Sequence, residues 1–190
     1  MTGPSSENTA ERSAPRVVAR VWAVITHDIG RAFWHGWVNA LGGSVLLPRA
    51  ARWAIYRIAG LDFRTANISP RCTFTHRQVS IGSRSFLNIG VFCEGEPIVI
   101  GDNTQIGPEV LFATAHHPMD GTGASSMGFE RRKIEVGDDC TLGARVVVLP
   151  GVMIASRITV AAGAVVTKDL TEPGLYAGVP ARLIRAGQGS

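Results

Sequence analysis

With 190 residues the chain has room for about one compact domain, at the usual ~100–200 residues each, which excludes a large multidomain enzyme. Hydrophobic residues make up 45%, charged residues only 18% against a typical ~25%, and the net charge is +4, so a disordered or purely solvating chain is excluded as well. Glycine is the outlier at 22 residues, about 12% against an average near 7%, with no collagen-like period, and it predicts many tight backbone corners.

Residues 1–14, rich in Ser, Thr, Glu and Pro, read as a disordered leader without the charged-then-apolar order of a signal peptide. From Arg16 to about Ala40 apolar residues recur at three- and four-residue steps, among them Val21, Ile25, Ile29, Phe33 and Trp37. This predicts an amphipathic helix stopped by Gly42-Gly43. A second helix is predicted from Pro48 to about Gly60, burying Trp53, Ile55, Tyr56 and Ile58. Together they form a helical region over 15–65, a cap on the remainder of the chain.

Seven arginines against Asp28 and Asp62 give the stretch Arg16–Asn67 a balance of +5. A basic, tryptophan-bearing surface fits a peripheral membrane contact or, more simply, a solvated helical face. The rest of the chain has no basic stripe interleaved with aromatics, which argues against nucleic acid. The longest uncharged stretch, Ala32–Pro48, carries His35, Asn39 and three glycines and is poor transmembrane material. Three cysteines without a C-x-x-C pair suggest neither disulfides nor a zinc ribbon, and hence a reducing compartment.

After Phe63 the period changes. Aliphatic positions followed by a small residue recur every six, at Ile81, Leu87 and Cys93, then Ile100, Ile106 and Phe112. They resume at Val136, Leu142, Val148, Ile154, Val160 and Val166. Positions four residues on, such as Val91, Val110, Cys140, Val146, Val152, Ile158 and Ala164, are also small or apolar. Two inward positions and a corner per six describe a short strand and a turn, three of which close one triangular coil of a solenoid over 66–190. Cys72, Cys93 and Cys140 fall on inward positions and should be buried, unreactive hydrophobes.

Between Phe112 and Val136 the repeat stops obeying its own rule, and a loop over 115–133 is predicted to leave the coil. Loops on rigid scaffolds are where sites tend to be built, and His116 and His117 at its root are the titratable candidates. Counted from Phe112, His116 takes an inward slot and His117 the corner before Pro118. The phase therefore favours His117 as the functional residue and His116 as structural or orienting.

Ile-Gly-Asp-Asn (100–103), His-Pro (117–118), Leu-Pro-Gly-Val (149–152), Ala-Gly-Ala-Val-Val-Thr-Lys-Asp (162–169) and Ala-Gly-Val-Pro-Ala-Arg-Leu-Ile-Arg (177–185) occur in that order. In this ordered set the region from Ile68 to Arg185 resembles the hexapeptide-repeat acyltransferases, in particular their maltose/galactoside acetyltransferase branch. The resemblance implies a mainly β fold, a left-handed parallel β-helix with an N-terminal α-helical cap, assembled as a homotrimer with active sites between subunits. It implies transfer of an acetyl group from acetyl-CoA to a hydroxyl of a sugar or glycan acceptor, with no metal required.

On the matched positions His117 becomes the general base, and Ala144, Ala162, Thr167, Lys168, Arg182 and Arg185 the acetyl-CoA contacts. Asn88 and one of Glu94 and Glu96 become acceptor contacts, although the segment Glu94-Gly95-Glu96 is one residue shorter than the galactoside pattern and carries Glu where Asp is usual. The helices before Ile68 are more similar to acetyltransferases of surface-polysaccharide assembly, which tilts the acceptor toward an envelope glycan, a glycolipid or an activated sugar. The expected location is cytoplasmic, free or peripheral at the inner face of the membrane. The other readings are N-acetylation of an amino sugar or amino acid, or a non-catalytic assembly solenoid. A solenoid carbonic anhydrase needs a third zinc histidine, and His76 is the only other one within the solenoid.

Overall fold

The computed structural model describes residues 14–116 and 130–187. Helix α1 spans Ala14–Trp34 and widens into a π-helical segment, His35–Leu41, before the two glycines. Trp34 Nε1–H donates to the Phe74 carbonyl at 2.7 Å, and Asn39 exchanges two hydrogen bonds with the Phe74 backbone, tying this segment to the first coil. Helix α2, Arg49–Ile58, comes after Pro48 and buries Tyr56 as predicted, but the face beside it is Arg52 rather than Trp53 and Ile58. Arg52 and Tyr56 are buried, whereas Trp53 is partly exposed and Ile58 largely so.

The reason lies in the surface α2 packs on, which is rich in unpaired carbonyls. Arg52 donates to the carbonyls of Gly42, Ser44, Leu47 and Ile68, joining the loop after α1 to the first coil. A guanidinium has five donors and can serve several acceptors at once. Tyr56 meets Phe63 and Phe74 edge-on at 5.4 and 5.2 Å between ring centroids, closing the base of the solenoid with an aromatic plug.

Three parallel sheets form the solenoid. The first stacks Asp62–Phe63, Val79–Ile81, Ile98–Ile100, Ile134–Val136 and Met153–Ile154. The second stacks Phe86–Leu87, Gln105–Ile106, Thr141–Leu142, Ile158–Val160 and Gly174–Ala177, with Arg182–Ala186 added antiparallel. The third stacks Thr73–Phe74, Phe92–Cys93, Leu111–Phe112, Val147–Val148 and Val165–Val166. The hexad positions are the rungs, for instance Ile81, Ile100, Val136 and Ile154 in register, or Cys93, Phe112, Val148 and Val166. Every one of them is buried, as are the four-on positions Val91, Val110, Cys140, Val146, Val152, Ile158 and Ala164. After its interruption the chain rejoins in phase, with Ile134 pairing Ile98.

The glycines serve the corners differently from a simple turn. Left-handed backbone falls three residues after Ile81, Ile100, Val136 and Ile154, on Arg84, Asn103, Asp139 and Arg157, and three after Leu87, Ile106, Leu142 and Val160, on Gly90, Glu109, Arg145 and Gly163. The glycines one residue after the rungs answer close approach instead. A Cβ on Gly143 would stand 2.5 Å from the Ala162 nitrogen, and one on Gly107 would stand 2.7 Å from the Gly143 carbonyl carbon. Asp102 and Asp138 in the same turns accept the backbone N–H groups of Ser83 and Asp102, one coil apart.

All three cysteines are buried and free. Burial pushes the Cys72 thiol up to about 12 and raises Cys93 and Cys140 above their ordinary values. Since the thiolate is the nucleophile, the native protein should not react with Ellman's reagent near pH ~8, and all three thiols should react after denaturation. Labelling of the native protein would overturn their placement.

Among the described residues no helix is long and apolar enough to cross a membrane. The outer face of α1 leaves Trp22, Ile25, Ile29 and Phe33 exposed. Two of the seven arginines counted in this region are unavailable to an anionic surface, because Arg52 is buried and Arg57 pairs with Asp62 at 2.9 Å.

Candidate active site

The loop root is held by a relay across three coils. Residues 75–77, 94–96 and 113–116 come directly after the parallel strands Thr73–Phe74, Phe92–Cys93 and Leu111–Phe112 and so stack on one corner. Gln78 N–H donates to His76 Nδ1, and His76 Nε2 meets the Glu94 carbonyl at 2.9 Å. With Nδ1 accepting, His76 carries its proton on Nε2, and both nitrogens are occupied. The Glu94 carboxylate in turn accepts the N–H groups of Thr114 and Ala115 at 2.9 and 3.3 Å. Glu94 therefore fixes the backbone two residues before His116. Glu96, of the two glutamates, sits nearer solvent, with Arg131 at 3.6 Å.

His116 departs from its predicted inward slot. Thr114 is buried instead, and Ala115–His116 leaves the coil to pair antiparallel with Glu130–Arg131, so the hexad phase ends at the first residues of the loop. The His116 ring is half exposed, with Nε2 3.1 Å from Glu130 Oε2. Glu130 is also hydrogen-bonded by Arg132, which, with His116, holds its carboxyl below the usual carboxylate range. His116 and Glu130 thus form a solvent-facing pair at the stem of the loop. His117 and the rest of 117–129 lie outside the described residues.

A second feature lies at the corner after the second sheet. Ala144 and Ala162 come together with Pro108, Glu109, Arg145 and Gly163 around a groove of about 490 Å³. Beside it the coils approach closely, Gly107 against Gly143 and Gly143 against Ala162. Arg145 and Glu109 are ion-paired across its rim at 2.6 Å, and Glu109 raises the Arg145 guanidinium above its ordinary value. Both residues were missed in the sequence. Their common offset of three from Ile106 and Leu142 is the signal that could have found them.

The other matched positions spread along the chain's outer surface. Thr167 and Lys168 are exposed at the next corner, where Asp169 accepts the Met153 N–H and is structural. Arg182 and Arg185 are exposed on the terminal hairpin, and Arg185 faces Arg157 in a separate groove of about 500 Å³. Asn88 stands on the same corner as Gly107 and Gly143, its side chain accepting the Ile89 N–H. The strand Phe92–Cys93 separates it from Glu94, so a single chain does not bring Asn88 and the two glutamates onto one corner. Among the described residues no group of three His, Cys, Asp or Glu side chains could hold a metal ion.

A family profile described as the hexapeptide repeat of succinyl-transferase matches residues 133–168. A Schizosaccharomyces pombe protein named as an acetyltransferase is 39% identical over 153 residues, 79% of this chain and 73% of that one. The galactoside O-acetyltransferase of Escherichia coli is 30% identical over 120 residues, 62% of this chain and 59% of its own length. Among solved structures, a hexapeptide-repeat acetyltransferase of Vibrio cholerae complexed with acetyl-CoA superposes with a TM-score of 0.72 at 32% identity, covering 84% of this chain and 87% of that one. A stack of hexad coils, an antiparallel stem of Ala115–His116 and Glu130–Arg131 leaving it, and relatives that share both sequence and shape lead to one conclusion: the chain belongs to the hexapeptide-repeat acetyltransferases.

Proposed function

We propose that the chain transfers the acetyl group of acetyl-CoA to a hydroxyl of a sugar-containing acceptor, with His117 as general base. The observation that carries this reading is the small-residue groove. Pro108, Ala144, Ala162 and Gly163 leave a channel along the coil in which a thin, extended pantetheine chain fits, and Arg145 offers a cation at the rim. Thr167 and Lys168 on the next corner and Arg182 and Arg185 on the terminal hairpin are the contacts for the rest of the cosubstrate, where an arginine fork suits phosphate.

In the reaction His117 takes the proton of the acceptor hydroxyl as its oxygen attacks the thioester carbonyl, and the tetrahedral oxyanion is held by a backbone N–H. Collapse breaks the carbon–sulfur bond, and the proton held on His117 passes to the departing thiolate. The products are an acetyl ester and CoA, with no acyl-enzyme. Asn88 and Glu96 are the acceptor contacts we favour, since the Glu94 carboxylate is already engaged by two amides. Asn88 and the glutamates stand on different corners, which supports a site completed between neighbouring subunits of a homotrimer. The galactoside O-acetyltransferase relatives support a sugar acceptor and oxygen rather than nitrogen as the acetylated atom.

The test is to fill the groove. Ala162 is exposed, so Ala162→Leu should fold normally while its side chain occupies the channel. The expected result is an unchanged melting temperature with acetyl-CoA affinity, measured by calorimetry, lowered by about tenfold or more, since loss of ~1.4 kcal/mol is a factor of ten. Unaltered affinity would move the acetyl-CoA site elsewhere. Thiol release from acetyl-CoA across a panel of sugars, nucleotide sugars and amino acids then separates hydroxyl from amine acceptors.

A further inference from the structure

The corner that holds the loop root continues, two coils below it, into a groove that the acetyl-transfer site does not use. Its volume is about 400 Å³, and it runs between α1 and residues 75–77. Arg31, Trp34 and His35 line one side, Thr75, His76 and Arg77 the other. Arg31 and Arg77 are exposed, and neither makes an ion pair among the described residues. The nearby acid is Asp28, which faces His27 at 3.6 Å.

The groove is built rather than incidental. Trp34 is fixed by its bond to the Phe74 carbonyl, and the Arg77 guanidinium lies over its ring at 5.8 Å from the centroid. Asn39 has its oxygen on the Phe74 N–H, so its amide nitrogen must donate to His35 Nδ1, at 2.9 Å. This leaves His35 Nε2–H free as a donor. Thr75 lines the groove, with its Oγ1 buried beneath the surface. Two guanidiniums without ion-pair partners, a free imidazole N–H and a fixed tryptophan suit an anionic saccharide, the ring beside the Trp34–Arg77 stack and the charge between the arginines.

We propose that this groove binds the anionic part of the acceptor, a carboxylate- or phosphate-bearing sugar unit. The proposal rests on the acetyl-transfer reading and deepens it. Neighbouring strands are about 4.8 Å apart, so Thr75 and His76 lie about 10 Å below Thr114 and Ala115. That exceeds the reach of one pyranose ring, so the charged unit is a neighbour of the sugar that is acetylated.

The experiment uses the full chain and three probes: cellobiose, cellobiouronic acid and cellobiose 1-phosphate. Binding is measured by calorimetry without acetyl-CoA, and thiol release is measured with it. At least one anionic probe should bind about ten- to a hundredfold more tightly than cellobiose, the range of a charge-assisted hydrogen bond. The carboxylate and phosphate arms tell which anion is preferred. Arg31→Ala with Arg77→Ala should abolish the preference, and Arg77→Glu alone should cost more than Arg77→Ala. Equal binding of the three probes, no binding of either anionic one, or a preference that survives the double variant overturns the proposal. Arginine-dependent binding without thiol release would uphold the groove and sink the acetyl-transfer reading, whereas thiol release on cellobiose without charge preference would do the reverse.

Discussion

Replacing His117 by alanine is expected to leave a folded protein that binds acetyl-CoA normally and turns over about 100- to 10,000-fold more slowly, the span of a lost general base. Folding should survive because the coil and the described stem of the loop are held by other residues. Glu94 holds Thr114 and Ala115 from below, and the pairing of Ala115–His116 with Glu130–Arg131 holds the stem from outside. Cosubstrate affinity should survive because the groove at Ala144 and Ala162 lies on another corner. His116→Ala is the control. Its ring is engaged by Glu130 and faces solvent, so its loss should cost less than about tenfold, the effect of a loosened stem. Wild-type turnover in His117→Ala removes the assignment, and equal losses in the two variants transfer it to the pair.

What the sequence made legible and what it hid divide along a physical line. Burial in a solenoid repeats with the backbone, so each of Ile81, Leu87, Ile100 or Val160 announces itself by its distance from the last one, and the cysteines could be placed inside by counting. The same counting failed at His116, because it presumes that the chain is still in the coil, and antiparallel pairing with Glu130–Arg131 depends on residues fourteen positions away. It failed at α2 for a different reason. Hydropathy ranks Trp53 and Ile58 above Arg52, but the surface waiting for the helix offered carbonyls, and a guanidinium satisfies four of them where an aliphatic chain satisfies none. The glycine excess marks the corners only in part: Gly90 and Gly163 take left-handed backbone there, but so do Arg84, Asn103, Glu109, Asp139, Arg145 and Arg157, while Gly107 and Gly143 answer close approach. The recessed chemistry was least visible. Arg31, Trp34, Thr75 and Arg77 share no motif, and only the docking of α1 on the first coil makes them neighbours.

Val148→Asp is expected to leave no cooperatively folded protein. Val148 is fully buried in the third sheet, in register with Phe112 on one side and Val166 on the other. The substitution forfeits about 1.5–3 kcal/mol of apolar burial. It then confronts the rung with a carboxylate whose ionised form costs several kcal/mol to bury, and whose protonated form still lacks a partner. Against a total stability of about 5–15 kcal/mol, that sum is decisive. The geometry makes it worse, because a solenoid is stabilised coil against neighbouring coil. A breach at Val148 uncouples Val165–Val166 and the terminal hairpin from the coils below, and it splits the groove between Ala144 and Ala162. Val148→Thr, nearly the same shape with one buried hydroxyl, calibrates the result. At about 1–3 kcal/mol for the hydroxyl and 2–4 °C per kcal/mol for a chain of this size, it should melt about 2–12 °C lower and retain acetyl-CoA binding. Calorimetric melting of the two variants reads both outcomes. A Val148→Asp protein that melts cooperatively near the wild-type temperature would mean that the rungs do not form the dry interior from which the repeat derives its stability.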